Sequence, residues 1–280
     1  MRRARTLLLV DLSYQTYRAC AGYPNLMSAE REPTGGLFGF MTLLAKTIND
    51  TEADHVVICQ DRRPYRRSEL YPQYKMLRKD NEDKELKEKV NAALVQVLGM
   101  CKVVGLPVLG VDGFESDDIV GHFVHTQRGR FGTIYAASND SDLYQLFWCP
   151  WFKVYRKSGM ENVMDAVALK RETGLEPAQF VLAAALMGTH NDVEGIKGVG
   201  IKTACKAVRD GGMLRMYREQ HRELIERNER LVRLPYEGFP RETALPSMGK
   251  FRVRDLYRYC ARYDINVTGQ MINAFEKVAP

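Results

Sequence analysis

Eight carboxylates in the first 192 residues each come near a predicted strand end or helix start. They are Asp11, Asp61, Glu115, Asp117, Asp118, Asp140, Asp142 and Asp192. Short apolar runs precede several of them, and such runs are typical of buried parallel strands, whose carboxyl ends place ligand sites in open α/β sheets. Like charges gathered in one cleft repel strongly, so a cation must hold them. Oxygen ligands favour Mg²⁺ or Mn²⁺, and the pattern therefore predicts a divalent-metal site.

The densest acidic cluster runs from Glu115 to Asp118. A helix N-terminus attracts carboxylates, but an ordinary N-cap needs one acid rather than three in four residues, which favours metal ligation. The pair Asp140 and Asp142 is spaced like ligands of a calcium loop. That interpretation fails because no glycine follows at the required turn and no glutamate closes a 12-residue loop. A polar turn without a ligand role remains the alternative for this pair.

A glycine-rich turn spans residues 195–204, with the sequence GIKGVGIKTA. Its spacing fits neither the P-loop nor the dinucleotide-binding pattern. The segment predicts a tight hairpin whose exposed N–H groups and following helix hold a backbone phosphate. The candidate phosphate-binding residues are Lys197, Gly198, Gly200, Lys202 and Thr203. An ordinary helix–helix turn is the alternative, although it needs one glycine rather than three.

A run of aromatic and basic residues covers positions 71–78 and follows several arginines, including Arg66 and Arg67. Cations interleaved with stacking side chains suit single-stranded nucleic acid. A solvated loop of the same composition is the alternative.

Charge is unevenly distributed along the 280 residues, whose net charge is +6. Residues 196–280 carry 17 Lys or Arg against 10 Asp or Glu, whereas the first 195 residues are nearly neutral. An acidic half that binds metals and a basic half that binds anions suit a polyanionic substrate. The six cysteines have no CxxC spacing, which argues against a zinc or disulfide framework and predicts a reducing, cytoplasmic location. No apolar stretch is long enough to predict a membrane span.

Strands and helices alternate in the first part of the chain. The expected strands are Thr6–Val10, His55–Gln60, Pro107–Val111, Thr133–Ala137 and Lys153–Arg156, and the expected helices are about Leu37–Ile48, Lys84–Val104 and Asp117–His125. This order predicts an α/β fold with a mostly parallel central sheet wrapped by helices. After Pro177 the pattern becomes helical with no clear strand. We therefore expect an α/β domain over 1–177 and a helical region over 178–280.

Taken in order, these motifs resemble the 5′ nucleases, that is, bacteriophage flap endonucleases and the 5′-nuclease domain of bacterial DNA polymerase I. The motifs are Asp11-Leu12-Ser13, Asp61 with the arginines after it, Tyr74-Lys75 with Arg78, Glu115-Ser116-Asp117-Asp118, Asp140 with Asp142, and Asp192 before the 198–204 stretch. The match covers residues 6–210, and six motifs in register are specific. No polymerase domain follows, which favours a stand-alone enzyme of the bacteriophage type, working in the cytoplasm of a bacterial host.

The resemblance implies a PIN-like 5′-nuclease fold with a helical arch over about 62–95 and a helix–hairpin–helix element over about 188–210. It implies a two-metal 5′-3′ exonuclease and flap endonuclease of DNA replication and primer removal, acting as a monomer on DNA 5′ ends, nicks and flaps or on RNA–DNA hybrid. Asp11, Asp61, Glu115 and Asp117 would hold the first Mg²⁺ or Mn²⁺, and Asp118, Asp140, Asp142 and Asp192 the second.

The resemblance also implies roles for basic and aromatic residues. Lys75 and Arg78 would steer the scissile phosphate, and Tyr74 would stack at the base of the arch. Arg66 and Arg67 would contact DNA, and the hairpin at Gly198 and Gly200 would grip duplex backbone with a K⁺ ion.

The sequence departs from the family pattern at Thr189. The family usually carries an Asp three residues before its last ligand, and this chain has Thr189 there, followed by a loop one residue shorter than usual. We therefore expect a weaker second metal site. A PIN-type ribonuclease is one alternative, but it would lack the Gly-Val-Gly hairpin. A non-catalytic DNA-binding relative is another, but it would have lost acids that are present here.

Overall fold

The computed structural model describes residues 5–76, 84–157, 159–189 and 193–279. Within these residues six strands form one central sheet in the order β3-β2-β1-β4-β5-β6. The strands are β1 Thr6–Asp11, β2 His55–Gln60, β3 Val108–Gly110, β4 Thr133–Ala137, β5 Phe152–Tyr155 and β6 Val163–Met164. The first five run parallel, and β6 is antiparallel to β5. The predicted α/β fold with a mostly parallel sheet is confirmed.

Helices cover both faces of this sheet. They are α1 Leu12–Gly22, α2 Gly35–Thr51, α3 Arg67–Leu70, α4 Lys84–Val104, α5 Ser116–Thr126, α6 Ala166–Thr173, α7 Pro177–Met187, α8 Ile201–Arg209, α9 Gly211–Gln220, α10 Arg222–Val232, α11 Val253–Ala261 and α12 Gly269–Val278. Short 3-10 helices occupy Ser141–Trp148 and Met160–Asn162.

Strand β1 shows why the sheet must be covered on both sides. Leu7 and Leu9 pack into one core, formed with α5, α7, α8 and α10. Leu8 and Val10 point the other way and pack into a second core, formed with α1, α2, α4, α11 and α12. Alternate side chains of a strand face opposite sides of a sheet, so a continuous apolar run requires an apolar layer on each face.

Helix α1 was not expected from the sequence, because its polar residues give no clear apolar stripe. One local and one tertiary feature stabilise it. Asp11 caps its N-terminus by accepting a hydrogen bond from the Tyr14 N–H at 3.0 Å. Its Ala19 packs tightly against Gly39 of α2, where an added Cβ would lie 3.0 Å from the Ala19 Cβ.

The expectation that no strand follows Pro177 was wrong. Two short strands, β7 Gly188–Thr189 and β8 Val193–Glu194, pair antiparallel after α7. Strands of two residues carry no alternation that a sequence pattern could reveal.

The core on the β1 face of Leu7 joins residues from both sides of position 177, among them Phe123, Phe180 and Ile225. The division into domains at this position stays a prediction. In the described part of the chain no helix is long and apolar enough to cross a membrane.

Candidate active site at the carboxyl edge of the sheet

Three neighbouring parallel strands deliver acids to one edge of the sheet. Asp11 ends β1, Asp61 follows β2, and Asp140 follows β4 by three residues. Helix α5 begins at the same edge and brings Glu115 and Asp117. The sequence expectation that these acids share an edge is therefore matched by the topology.

Hydroxyl and amide groups hold these carboxylates in place. Ser13 Oγ donates to Asp61 Oδ2 at 3.3 Å, and the Ser116 N–H donates to Asp61 Oδ1 at 2.7 Å. Ser138 Oγ donates to Asp11 Oδ2 at 3.4 Å. These serines were not predicted as supports, although Ser13 and Ser116 belong to the family motifs. Neighbouring hydroxyl and amide groups thus orient Asp11 and Asp61.

The electrostatics show that the acids repel one another. Burial, then Asp61, raises the pKa of Asp11 to about 7. Burial, then Asp140 and Asp11, raises the pKa of Asp117 well above its usual value. Burial, then Asp140, likewise raises the pKa of Asp142. Buried like charges of this kind require protons or a cation.

The donor set fits a hard divalent cation. Every donor is a carboxylate oxygen, and Asp117 Oδ1 is buried with no hydrogen-bond partner among the residues that the structure describes. Among the described residues no group of three or more acidic, histidine or cysteine side chains forms a ready-made metal cage. The raised pKa values and the unpartnered oxygen of Asp117 are therefore the features that point to a metal.

Glu115 differs from the other acids because two cations and a tyrosine hydroxyl contact its carboxylate. Tyr74 Oη donates to its Oε2 at 2.7 Å, Lys75 Nζ pairs with its Oε1, and Arg67 Nη1 lies 3.1 Å from its Oε2. Burial raises the pKa of Glu115, but Lys75 and Arg67 outweigh burial and lower it. Glu115 is therefore ionised.

Lys75 brings a fixed positive charge to the acids. Burial lowers the pKa of Lys75, but the nearby carboxylates of Glu115 and then Asp61 raise it by more than burial lowers it. The net shift of the pKa is upward, and the ammonium stays charged. Its backbone has φ of +56°, a left-handed conformation that non-glycine residues rarely adopt. The chain is thus held in an unfavourable conformation at the residue predicted to steer phosphate.

Asp118 and Arg67 need a correction. Asp118 is fully buried, and its two oxygens accept from Arg67 Nη1 at 2.6 Å and Arg67 Nη2 at 2.8 Å. The same oxygens accept the N–H groups of Tyr236 and Glu115. Arg67 is 3% exposed and also donates to the Leu231 carbonyl. The assignments of Asp118 to metal and of Arg67 to DNA were therefore wrong, since each satisfies the other inside the protein.

Tyr74 also lies differently from the expectation. The ring is 5% exposed and packs edge-on against Tyr65, so it is not open to a stacking base. Its hydroxyl instead holds Glu115. Arg66 is exposed, with its guanidinium over the Phe114 ring, and is open to solvent as a DNA contact requires. The predictions for Arg78 and Asp192 lie outside the described residues.

The glycine hairpin presents an exposed surface. Lys197, Gly198, Gly200 and Lys202 are all exposed, and Thr203 is half-buried. Gly198 has φ of +80°, which a glycine adopts without strain. Helix α8 starts after Gly200, and no described side chain caps it, which leaves its first N–H groups available to a ligand. The structure thus has the exposed turn and helix start that the predicted hairpin requires, and phosphate binding there stays a prediction.

Asn228 is a structural residue that was not predicted from the sequence. It is fully buried on α10, and its Nδ2 donates to the carbonyls of Ala185 at 2.9 Å and Glu194 at 2.8 Å. It thereby ties β8 to the end of α7. A lone asparagine in a helix provides no sequence signal for this role.

A mostly parallel sheet buried between two helical layers, with carboxylates along its carboxyl edge, defines an α/β protein with a PIN-like fold. The sequence profile described as "5′-3′ exonuclease, N-terminal resolvase-like domain" matches residues 6–174. The chain therefore belongs to the 5′-3′ exonuclease family, in which metal dependence is general. The family resemblance seen in the motifs is confirmed.

Curated relatives agree with this assignment. A 5′-3′ exonuclease of Streptomyces coelicolor is 28% identical over 221 residues, which cover 74% of this chain and 72% of the relative. DNA polymerase I of Pseudomonas aeruginosa is 30% identical over 200 residues, but the chain spans only 21% of that polymerase.

A solved structure shows the same fold. The bacteriophage T5 flap endonuclease, in a pseudo-enzyme–product complex with DNA and metal ions, superposes with a TM-score of 0.66 at 18% identity. The alignment covers 98% of this chain and 97% of that chain. This likeness establishes a shared architecture from end to end.

Proposed function

We propose that this nuclease hydrolyses DNA phosphodiester bonds at 5′ ends, nicks and 5′ flaps with two divalent metal ions, in DNA replication and primer removal. The observation that carries the proposal is Asp117 Oδ1, which is buried without a hydrogen-bond partner in the described part of the chain and lies among acids with raised pKa values. A polyanionic substrate could not approach these acids without cations.

We assign the acids to two sets, one for each metal ion, as the family resemblance implies. Asp11, Asp61, Glu115 and Asp117 would hold one ion, and Asp140, Asp142 and Asp192 the other, with Asp118 removed from the second set by its pairing with Arg67. Bound Mg²⁺ or Mn²⁺ would supply an activated water and stabilise charge on the attacking and leaving oxygens.

The chain's own residues orient the substrate. Lys75 keeps its charge beside Asp61 and Glu115, where it can attract the scissile phosphate. Tyr74 and Arg67 hold Glu115 so that its carboxylate stays ionised and fixed. The exposed Arg66 extends the positive surface away from the acids.

The hairpin would hold duplex DNA. Lys197 and Lys202 flank the uncapped start of α8, and residues 196–280 carry the chain's excess positive charge. Such a helix start binds backbone phosphate without reading bases. We propose K⁺ as the ion of this hairpin, a monomer as the working unit and the cytoplasm as its location.

The proposal is tested with a 5′-flap, a nicked and a single-stranded DNA, and with the same strands as RNA, in Mg²⁺ or Mn²⁺. Asp117→Asn should abolish cleavage and leave DNA binding intact. Asp112→Asn is the matched control, because Asp112 is exposed in the loop before α5 and should keep full activity. Cleavage of the RNA substrates but not of the DNA substrates would favour a PIN-type ribonuclease. DNA binding with no cleavage under either metal would indicate a non-catalytic relative.

A further inference from the structure

Gln145 is a buried side chain that hydrogen-bonds the backbone of Asp142. It lies in the 3-10 helix Ser141–Trp148 and is 7% exposed. Its Nε2 donates to the Asp142 carbonyl at 2.7 Å and to the Val232 carbonyl at 2.8 Å, and its Oε1 accepts the Leu234 N–H at 3.0 Å. Because a carbonyl can only accept and a backbone N–H can only donate, these three bonds fit one orientation of the amide. Gln145 therefore fixes the Asp142 backbone relative to the end of α10.

The 3-10 helix that carries Asp142 needs this support. The hydrogen bonds of a 3-10 helix have poorer geometry than those of an α-helix, and runs longer than about four residues are uncommon. This helix spans eight residues. At its start Asp140 Oδ1 accepts the Asp142 N–H at 2.9 Å, so a proposed metal ligand is also the helix cap. The bond from Gln145 holds the same turn without using a carboxylate oxygen that a cation needs.

The chain at the end of α10, residues 231–236, forms a bridging segment whose two ends contact the buried Arg67–Asp118 ion pair. The Leu231 carbonyl accepts from Arg67 Nε at 2.8 Å. At the other end of the segment the Tyr236 N–H donates to Asp118 Oδ1 at 2.7 Å. The bridging segment is therefore bound to the start of α5, where Asp118 lies in the first turn.

The middle of the bridging segment is bound to Gln145. Val232 and Leu234, whose carbonyl and N–H bond the amide, lie between the two ends of the segment. The segment thus joins the start of α5, where Glu115 is the N-cap residue, to the turn that carries Asp142. Glu115 belongs to the proposed first metal site, and Asp142 belongs to the proposed second.

The distance between these two sites matters for a two-metal reaction. Such sites hold their ions about 3.5–4 Å apart, and a catalytic arrangement must be fixed within about 0.5 Å. Asp11 is held within the sheet as the last residue of β1, whereas Asp142 lies on a helix outside the sheet. A direct connection to the rest of the site is therefore most important for Asp142.

We propose that Gln145 is a positioning residue for the reaction, which fixes Asp142 relative to Glu115 through the bridging segment and thereby sets the affinity of the second metal site. Gln145 acts through the Asp142 backbone rather than on substrate or metal. The inference rests on the proposed two-metal function. When a residue that orients a metal ligand is replaced, metal affinity typically falls about 10- to 100-fold.

The test measures metal binding without catalysis. Gln145→Met keeps the length of the side chain but removes all three hydrogen bonds. Mn²⁺ binding to the DNA-free protein is followed by electron paramagnetic resonance, and Asp142→Asn identifies the ion that depends on Asp142. Gln145→Met should weaken binding of that ion about 10-fold. In cleavage, the Mg²⁺ concentration for half-maximal rate should rise by a similar factor.

Tyr259→Phe is the matched control. It removes the hydrogen bond from Tyr259 Oη to the Gln96 carbonyl at 2.6 Å, beside the core on the other face of the sheet. Urea denaturation should show a loss of stability for both variants, but Tyr259→Phe should bind Mn²⁺ like wild type. If Gln145→Met does not fold, Gln145→Asn, which keeps the amide on a shorter side chain, replaces it, and a smaller weakening in the same direction is expected.

A double variant separates positioning from a general loss of structure. If Gln145 acts through Asp142, Gln145→Met should weaken Mn²⁺ binding little further in the Asp142→Asn protein. An equal further loss in that protein, unchanged Mn²⁺ binding by Gln145→Met, or no effect of Asp142→Asn on any bound Mn²⁺ would overturn the positioning role, and cleavage by wild type would leave the nuclease function standing. Absence of cleavage by wild type with every metal would overturn the nuclease function, and the Mn²⁺ measurement would still decide the role of Gln145.

Discussion

Arg67 and Asp118 form a bidentate ion pair inside the protein, with Nη1–Oδ2 at 2.6 Å and Nη2–Oδ1 at 2.8 Å, although 51 positions separate them in the chain. The pair connects α3 to the first turn of α5 and, through the Leu231 carbonyl, to the end of α10. The pair therefore fixes the start of α5, where Glu115 is the N-cap residue.

Breaking this pair should destabilise the fold. Arg67→Ala leaves the Asp118 carboxylate buried and unpaired, and the free energy of unfolding should fall by about 3–5 kcal/mol. Arg66→Ala is the control, because Arg66 is exposed and its loss should change stability little. Urea denaturation of both variants measures the difference. A stable Arg67→Ala protein that binds DNA weakly would restore the DNA-contact role.

Tyr74 should act through its hydroxyl. Tyr74→Phe removes the 2.7 Å hydrogen bond to Glu115, and we expect a loss of about 1.5–3 kcal/mol in stability together with slower cleavage. Tyr71→Phe, in the neighbouring half-buried position, should behave like wild type. Single-turnover cleavage and urea denaturation provide the two measurements. Full activity of Tyr74→Phe with an inactive Tyr74→Ala would support base stacking instead.

The metal-free protein should lose stability as pH rises. Asp11 has a pKa of about 7 in the folded protein, against an ordinary value of 3.8. Between these values the folded state binds more protons than the unfolded state, so the free energy of unfolding falls with rising pH, and the loss is complete above about pH 7.

Asp11→Asn removes this dependence. In EDTA, its stability relative to wild type should increase from about pH 4 to pH 7, and Mg²⁺ should restore wild type more than the variant. Thermal unfolding across pH, with exposed Asp112→Asn as the control, checks the sign. A constant difference between Asp11→Asn and wild type would contradict it.

The hairpin lysines should bind backbone phosphates. Replacing Lys197 and Lys202 with Ala should reduce the slope of log affinity against log salt by roughly one to two, at about 0.9 for each phosphate that is no longer neutralised. Alanine at the exposed Lys102 and Lys277 removes equal charge elsewhere and should leave the slope nearly unchanged. Duplex binding at several salt concentrations measures both. Equal slopes for the two double variants would mean that only net charge matters.

Thr189 should limit the second metal. It lines the same cavity as Asp140 and Asp142, where a hydroxyl offers oxygen without charge. Thr189→Asp should lower the Mg²⁺ concentration for half-maximal cleavage, whereas Thr189→Asn, of similar shape but neutral, should not. Metal titrations of the three proteins decide the point. Superimposed curves would show that the missing acid has no effect.

Much of this protein could be predicted from its sequence because the signals are local. The buried runs before Asp11 and Asp61 define strands β1 and β2, and both faces of such strands must be covered. The three glycines near Lys197 are also a local signal, and they predict a turn. Because strands β1 and β2 are parallel, the carboxylates that follow them lie at the same edge of the sheet.

Other features were decided only by the tertiary structure. In the sequence Asp117 and Asp118 look like equal acids. In the fold Asp118 pairs with Arg67, whereas one oxygen of Asp117 has no hydrogen-bond partner within residues 5–76, 84–157, 159–189 and 193–279. Tyr74 likewise becomes a partner of Glu115 rather than an open ring. Burial and pairing depend on residues far apart in the chain, and those interactions decide whether a charge is neutralised inside the protein or remains available for chemistry.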